Sequence, residues 1–197
     1  MKSIDIKGTA RVANGKKGAK LIRKSGSVPC NLYGEAKDEK GLPVAKSFAV
    51  EESDLRNLVY TPHIYSVNLN IDGEEHKAIM KELQFHPVTD KLLHIDFYEI
   101  SETKPIIMEV PIKLNGLAEG VRAGGKLAAN VRKLKVRALY TQIPEHLDID
   151  VTKLGLGKTI KAGELSFEGL ELITSPSVVV CQVKMTRSAL SAAAKAE

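Results

Sequence analysis

The feature that most restricts the fold is a segment of apolar–polar alternation that ends in a tight turn. Residues 64–71 read IYSVNLNI, and side chains that alternate in this way are typical of a strand with one buried face. Asp72-Gly73 follows directly and favours a two-residue hairpin turn, and residues 76–83 supply the return strand. Trp is absent and aromatic residues make up 5% of the chain. We therefore expect a mainly β protein with a core of Val, Ile and Leu.

Further strands and two short helices are predicted in the first hundred residues. The expected helix 18–25 turns Leu21 and Ile22 inward and ends at Gly26. A second helix, 51–60, begins with acidic residues, which suit a helix N-terminus. Segment 35–46 is charged and is predicted to be an exposed loop. The remaining strands are expected at 4–12, 28–34, 48–50 and 92–100.

The second half of the chain has a different residue pattern, and the domain boundary is predicted at residues 101–104. We expect residues 1–100 to form one domain, residues 101–186 a separate C-terminal all-β domain, and residues 187–197 a flexible Ala-rich tail. No long helical pattern precedes Arg187, and residues 116–125 are rich in Gly. Strands are predicted over 105–114, 127–140, 147–151, 170–174 and 177–184.

Positive charge is concentrated near the N-terminus. The net charge is +5, yet residues 1–34 hold eight basic side chains and one acidic one, whereas residues 35–100 hold 7 basic and 13 acidic side chains. Like charges four residues apart cost a helix a few tenths of a kcal/mol per pair, roughly, so a purely structural helix would alternate its charges. A solvated surface is one interpretation, but phosphate binding explains the pattern better. Six of these eight are the candidate phosphate-binding residues, namely Arg11, Lys16, Lys17, Lys20, Arg23 and Lys24.

No motif in the sequence indicates catalysis, a metal or a cofactor. Residues 154–159 read LGLGKT, but Thr152 stands where a phosphate loop needs its first Gly, so a β-turn is predicted. The His spacings match no zinc site with Cys30 and Cys181, which we expect to be reduced, buried thiols. The polar N-terminus and the lack of an apolar stretch of about 20 residues favour a cytoplasmic protein.

A second candidate cluster consists of polar residues on two predicted strands. Gln84 and His86 have the same parity and so lie on one face of the first strand, and the same holds for His94 and Asp96 on the second. If these strands are neighbours, all four side chains share one surface, where such groups can read base edges and 2′-hydroxyls of RNA. Tyr33 could stack on a base. Ordinary surface or core polar residues are the competing interpretation.

Two motifs together resemble a known family. GKKGAKLIRKSGSVPCNLYG (15–34) and LQFHPVTDKLLHIDF (83–97) resemble the bacterial large-subunit ribosomal proteins that bind 5S ribosomal RNA. The second half, through its length, strands and DVTKLGLGKTIKAGEL (150–165), resembles the longer general-stress or CTC members. The resemblance implies an N-terminal six-stranded β-barrel with short helices, a separate C-terminal β domain, and a ribosome-associated, cytoplasmic location.

The resemblance also implies an RNA site. The matching positions are Arg11, Lys16, Lys20, Arg23, Tyr33, Gln84, His86, His94 and Asp96. This chain departs from the family at Ala19, where Ser is frequent, at Lys20, where Arg is frequent, and at Phe85, where many members are basic or polar. Lys20 keeps the charge but lacks the planar fork of Arg. The implied partner is 5S ribosomal RNA, with large-subunit RNA or neighbouring ribosomal proteins as further partners of the C-terminal domain.

Two other functions remain open. A tRNA-binding module, suggested by the family's kinship to the anticodon-binding barrels of glutaminyl-tRNA synthetase, would bind tRNA in preference to 5S RNA. A stress-induced protein-interaction protein would keep its function after charge reversal in residues 11–24. An enzyme is a distant third, and neither a membrane nor a small-molecule substrate is expected as a partner.

Overall fold

The computed structural model describes residues 2–11, 15–37, 43–101 and 103–187. The chain divides into two compact units, residues 1–104 and 105–197. None of the described helices is long and apolar enough to cross a membrane. The predicted Ala-rich tail falls almost entirely on residues 188–197, which lie outside the described residues.

The first unit is a closed barrel of six strands, in the order β1-β3-β2-β6-β5-β4. Pairs β1–β4 and β2–β6 are parallel, and the other neighbours are antiparallel. The strands are β1 (Lys2–Ala10), β2 (Ser27–Lys37), β3 (Pro43–Glu51), β4 (Tyr65–Ile71), β5 (Glu74–Phe85) and β6 (Leu92–Glu99). Helix α1 (Lys16–Lys24) packs beside β2, and α2 (Glu52–Val59) follows β3.

Inward-facing apolar side chains fill the barrel because each strand alternates its side chains. Phe48 and Phe97 are fully buried at its centre, with ring centroids 5.8 Å apart. Asp72 and Gly73 both have positive φ, as a tight hairpin turn requires. Gly26, also at positive φ, follows the end of α1. These features confirm the predicted hairpin and helix stop.

The second unit holds two sheets. A four-stranded sheet has the order β10-β7-β9-β12, and a three-stranded sheet has the order β11-β13-β8. Its strands are β7 (Ile106–Asn115), β8 (Lys126–Ala129), β9 (Lys133–Ala138), β10 (Leu147–Asp150), β11 (Thr159–Lys161), β12 (Glu171–Leu172) and β13 (Val179–Lys184). A short helix α3 (Glu119–Arg122) and 3₁₀ helices at Tyr140–Gln142 and Ala162–Glu164 complete the described part. The mainly β fold class with an N-terminal barrel is confirmed.

Several predicted elements are wrong in detail. The loop predicted over 35–46 is partly strand, since β2 runs to Lys37 and β3 begins at Pro43. The single strand predicted over 127–140 is two strands, β8 and β9, because the chain leaves one sheet near Asn130 and enters the other. The second unit also contains α3, which the sequence did not reveal, whereas β11 agrees with the strand-like segment that follows LGLGKT in the sequence.

Predictions about small motifs fare better. Cys30 and Cys181 are free and buried, as predicted. Burial raises the pKa of the Cys30 thiol to about 12, so this thiol is not reactive at neutral pH. LGLGKT forms a β-turn, in which Lys158 N donates to the Gly155 carbonyl at 3.3 Å, and it leads into strand β11.

Candidate nucleic-acid interface

Helix α1 presents the concentrated positive charge to solvent. Lys16 and Lys17 occupy its first turn, which holds no acidic residue. The N-terminus of a helix is already positive, so lysines there are unfavourable unless an anion lies nearby. The exposed basic side chains of α1 are Lys16, Lys17, Lys20, Arg23 and Lys24. The helix therefore forms an uncompensated basic surface, which suits a phosphate backbone.

A hydrogen bond holds α1 against the barrel. Arg23 Nε donates to the Leu93 carbonyl at 2.9 Å, which ties the helix to the start of β6. Gly18 is buried and Ile22 half-buried on the packed side of the helix. Leu21 is 67% exposed, so the prediction that it faces inward is wrong. The packed side of α1 is centred on Gly18 and Ile22, which leaves Leu21 on the solvent side.

Strands β5 and β6 bring the second cluster together beside α1. Gln84 lies directly opposite His94, and Glu82 lies opposite Asp96. His94 Nδ1 is 3.4 Å from Asp96 Oδ1. Ile95 and Phe97 point into the barrel, so His94 and Asp96 lie on its outer face. Gln84, His94 and Asp96 therefore form one polar surface, which we call the β5–β6 face.

The electrostatics of the β5–β6 face favour a neutral His94. Burial lowers the pKa of His94 below its ordinary value, and the nearby charges of Arg11 and Arg23 lower it further, although Asp96 acts in the opposite direction. A neutral imidazole has one donor and one acceptor. Asp96 beside Nδ1 favours the proton on Nδ1, which leaves Nε2 as an acceptor. Such a group can accept a hydrogen bond from a base amine or a 2′-hydroxyl.

Arg11 connects β1 to this surface. Its backbone N–H donates to the Ser47 carbonyl at 3.0 Å, which places it next to β3. The positive charge of its guanidinium acts to lower the pKa of both His94 and Cys30. Its Nε is buried and has no hydrogen-bond partner among the described residues. An unsatisfied buried donor is costly, and proteins retain such groups where another need outweighs stability.

Tyr33 adds an aromatic ring at the edge of the same surface. Strand β2 runs parallel to β6, so Asn31 pairs with Asp96 and Tyr33 with Tyr98. The rings of Tyr33 and Tyr98 are 5.8 Å apart in an edge-to-face arrangement. Burial raises the pKa of Tyr33, so its hydroxyl stays protonated and can donate. Both rings remain partly exposed.

Sequence reasoning missed three polar residues of this surface. Asn31 Oδ1 accepts a hydrogen bond of 3.0 Å from Ser47 Oγ, and Glu82 lies opposite Asp96. Tyr98 is the third; strand alternation predicts that it shares a face with His94 and Asp96, but it was not among the candidate site residues. Asn31 stands two residues from Tyr33, so alternation alone could have indicated it.

His86 has a different place from the one predicted. It lies beyond the end of β5, after an irregularity between Gln84 and Phe85. Its Nδ1 accepts hydrogen bonds from the backbone of Val88 and Thr89, at 3.3 and 3.2 Å. The ring therefore stabilises the turn between β5 and β6, and the predicted four-residue surface reduces to Gln84, His94 and Asp96. Within the described part of the chain, no three potential metal ligands lie together.

Comparison with protein families assigns a class to this fold and site. Residues 6–97 match the model of the ribosomal L25p family, and residues 105–187 match that of the C-terminal domain of ribosomal protein TL5. The chain thus has the two-part composition of a ribosomal protein. The two models cover the barrel unit and the second unit in turn.

Full-length relatives narrow the class further. Large ribosomal subunit protein bL25 of Phocaeicola vulgatus is 66% identical to this chain, over 100% of the chain and 99% of the relative. The bL25 proteins of Bacteroides thetaiotaomicron and Porphyromonas gingivalis are 58% and 53% identical, each over at least 99% of both chains. The chain belongs to the bL25 family of large-ribosomal-subunit proteins.

Membership decides several predictions. The resemblance to the long members of this family is confirmed by the two matched models and the full-length relatives. A structural role in the ribosome, without enzymatic activity, is confirmed by the same membership. The predicted ribosome-associated, cytoplasmic location is likewise confirmed, because the relatives are large-subunit proteins.

Proposed function

We propose that the barrel unit binds 5S ribosomal RNA and thereby helps to dock it in the large subunit. The main observation in support is that α1 and the β5–β6 face lie side by side, although Arg23 and His94 are far apart in the sequence. One region offers uncompensated positive charge and the other offers directional hydrogen-bonding groups. Phosphate contacts position an RNA ligand, whereas contacts to bases and 2′-hydroxyls specify it.

The two regions have separate roles in this proposal. The lysines of α1 neutralise phosphates, and Arg11 and Arg23 fix the RNA backbone at the edge of the barrel. Gln84, His94 and Asp96 then contact the shallow minor groove, where A-form RNA displays its base edges and 2′-hydroxyls. His94 Nε2 suits the exocyclic amine of guanine, the donor that this groove provides. Tyr33 stacks on, or packs against, an adjacent nucleotide.

The experiment is an equilibrium titration of the intact chain with 5S RNA, tRNA and an unrelated RNA hairpin at several salt concentrations. A preference for 5S RNA that persists as salt rises is expected, since directional contacts are screened less than charge. Equal and steeply salt-dependent binding to all three RNAs would overturn the proposal. A preference for tRNA would assign the barrel to that ligand instead.

Substitutions on the β5–β6 face test the recognition step. His94→Ala is expected to lower 5S affinity by about 1–2 kcal/mol, because one buried RNA group loses its partner. The affinity for the unrelated hairpin should not change. Glu75→Ala, an exposed residue elsewhere on β5, is the control. Arg23→Glu should weaken binding strongly, but it also breaks the bond to Leu93, so Lys20→Glu is the cleaner charge reversal.

A further inference from the structure

The two sheets of the second unit differ sharply in charge. The four-stranded sheet carries four basic and four acidic side chains on its strands. Lys135 pairs with Glu109 and Arg137 with Glu171, both at 3.8 Å. The strands of the three-stranded sheet carry three lysines and no acidic residue. The charges on the strands of the four-stranded sheet therefore cancel, whereas the strands of the three-stranded sheet keep a net positive charge.

The positive charge of the three-stranded sheet gathers at one end. Lys126 on β8 and Lys184 on β13 lie directly opposite each other, and both are exposed. Like charges in this position, with Cβ atoms about 5 Å apart, destabilise a strand pair. Among the described residues neither lysine makes an ion pair. The sheet therefore tolerates a repulsion that an anionic ligand would relieve.

Neighbouring segments extend this basic end. Lys158 lies alongside β13, because its carbonyl accepts from Val183 N at 3.0 Å. Thr186 Oγ1 donates to the Gly124 carbonyl, which brings the end of β13 beside the turn that follows α3. Segments 120–128, 155–160 and 180–187 contain no Asp or Glu. Their basic side chains, all exposed, are Arg122, Lys126, Lys158, Lys184 and Arg187.

We propose that this basic end is a second RNA-binding surface, which binds phosphates of ribosomal RNA outside the 5S contact of the barrel. From the sequence, the expected partner of the C-terminal domain is either ribosomal RNA or a neighbouring ribosomal protein. Protein interfaces need an apolar centre, and Met185 is the one large apolar side chain exposed in these segments. RNA interfaces are polar and strongly basic. The proposal does not depend on the 5S assignment.

The LGLGKT turn acquires a role in this proposal. It is not a nucleotide-binding loop, because it leads into a strand and lacks the helix that such loops precede. Gly157 has positive φ, a conformation that Gly adopts without strain in a tight turn. This turn places Lys158 next to β13. Lys158 thus lies opposite Val183, the residue next to Lys184 on β13.

The test uses the intact chain with two probes, protein-free 23S ribosomal RNA and 5S RNA, over a series of KCl concentrations. The patch variant carries Lys126→Gln, Lys158→Gln and Lys184→Gln. The control variant carries Lys113→Gln, Lys133→Gln and Lys135→Gln, which remove the same charge from the balanced sheet. We expect the patch variant to lose about tenfold or more in 23S affinity, with a salt slope shallower by about 2–3. Its 5S affinity should stay within about twofold, as a barrel site requires.

Each outcome is decisive. Equal losses of 23S affinity in the patch and control variants would mean that only net charge matters, and would overturn the proposal. Unchanged 23S affinity combined with poorer retention on reassembled large subunits would assign the surface to a protein partner and also overturn it. Lys→Arg at the same three positions should preserve 23S binding, which shows that charge is the property required. Absence of 5S binding by the unmodified chain would overturn the barrel proposal alone.

Discussion

The barrel holds two groups of polar side chains that differ in whether their charges are paired. One group is the basic surface of α1 with the adjoining β5–β6 face. The other, which we call the lumen cluster, consists of Lys46, Glu74, His76 and Glu99. In the lumen cluster Lys46 contacts both Glu74 and His76, and His76 Nδ1 lies 2.8 Å from Glu99 Oε1. The lysines of α1 have no acidic neighbour on their helix.

The positions of the two groups explain this difference. Members of the lumen cluster stand two residues beyond core residues of their strands, such as His76 beyond Ala78 and Glu99 beyond Phe97. They therefore point to the interior side of the sheet, at one end of the barrel. The side chains of His76 and Glu99 are only 15% and 32% exposed there, so the hydrogen bond between them offsets their loss of water, while Lys46 and Glu74 pair at the exposed end. On α1 the unsatisfied charges face solvent, which is the arrangement expected for a ligand. A charge cluster that is paired internally indicates structure, and an unpaired one indicates binding.

The largest expected effect concerns binding by α1. Replacement of Lys16, Lys20 and Lys24 by Gln should lower 5S affinity by about tenfold or more and make the salt slope shallower by about 2–3, because three phosphate contacts are lost. Thermal unfolding should shift little, or upward, since like charges leave the helix. Titration and melting of the same sample measure both quantities.

A variant with the same change in net charge is the control for this first prediction. Lys7, Arg56 and Lys77 are exposed basic residues of β1, α2 and β5, and their replacement by Gln removes the same charge. It should change 5S affinity by less than about threefold, through net charge alone. If both variants lose affinity equally, α1 is not a binding surface and the distinction between the two groups fails.

The second prediction concerns packing in the lumen cluster. A Cβ added at Gly34 would lie 2.5 Å from Glu99 Cβ, so Gly34→Ala forces two strands apart. We expect the free energy of unfolding to fall by about 1–3 kcal/mol, the usual cost of overpacking. Urea denaturation measures it, and Gly73→Ala is an unsuitable control because of its positive φ. Gly155→Ala, whose added Cβ would meet nothing closer than 3.7 Å, should be nearly neutral.

The third prediction separates stability from binding. Glu99→Ala leaves Nδ1 of His76, whose side chain is 15% exposed, without its carboxylate partner. The free energy of unfolding should fall by about 1 kcal/mol, the typical value for a part-buried hydrogen bond. The 5S affinity of the folded protein should stay within about twofold. Glu75→Ala, exposed on the neighbouring strand β5, should affect neither quantity, and a large loss of binding in Glu99→Ala alone would connect the two groups.

These two groups also show what a sequence can and cannot predict. Alternation and turn chemistry predicted the hairpin at Asp72-Gly73 and the outward direction of His94 and Asp96. The lumen cluster was missed because His76 and Lys46 meet only through barrel closure, which brings β3 and β5 to face each other. Closure of a barrel depends on pairing between strands that are far apart in the sequence. The expectation of a barrel therefore came from the family resemblance and not from the periodicity of the strands.

The candidate site shows the same limit. The basic residues of α1 were visible as a run of charge, and their exposure follows from that run. Leu21 was placed wrongly because the packed side of α1 is centred on Gly18 and Ile22, and the neighbouring Leu21 is turned about 100° away from Ile22. His86 was placed wrongly because the ladder irregularity after Gln84 interrupts the strand period on which the prediction depended.

The smallest expected effect is a pH dependence of stability that arises from the β5–β6 face. Burial, the first cause, lowers the folded pKa of His94, so below its ordinary value of 6.5 the unfolded chain binds a proton that the folded chain resists. The free energy of unfolding should therefore fall as pH decreases from about 7 through 6.5 and below. Other groups titrate in the same range, so the informative quantity is the difference between the wild type and His94→Gln at each pH. That difference should shift in favour of the variant as pH falls, whereas parallel curves would mean that His94 is as accessible to protons as an exposed imidazole, contrary to its place on a half-buried recognition surface.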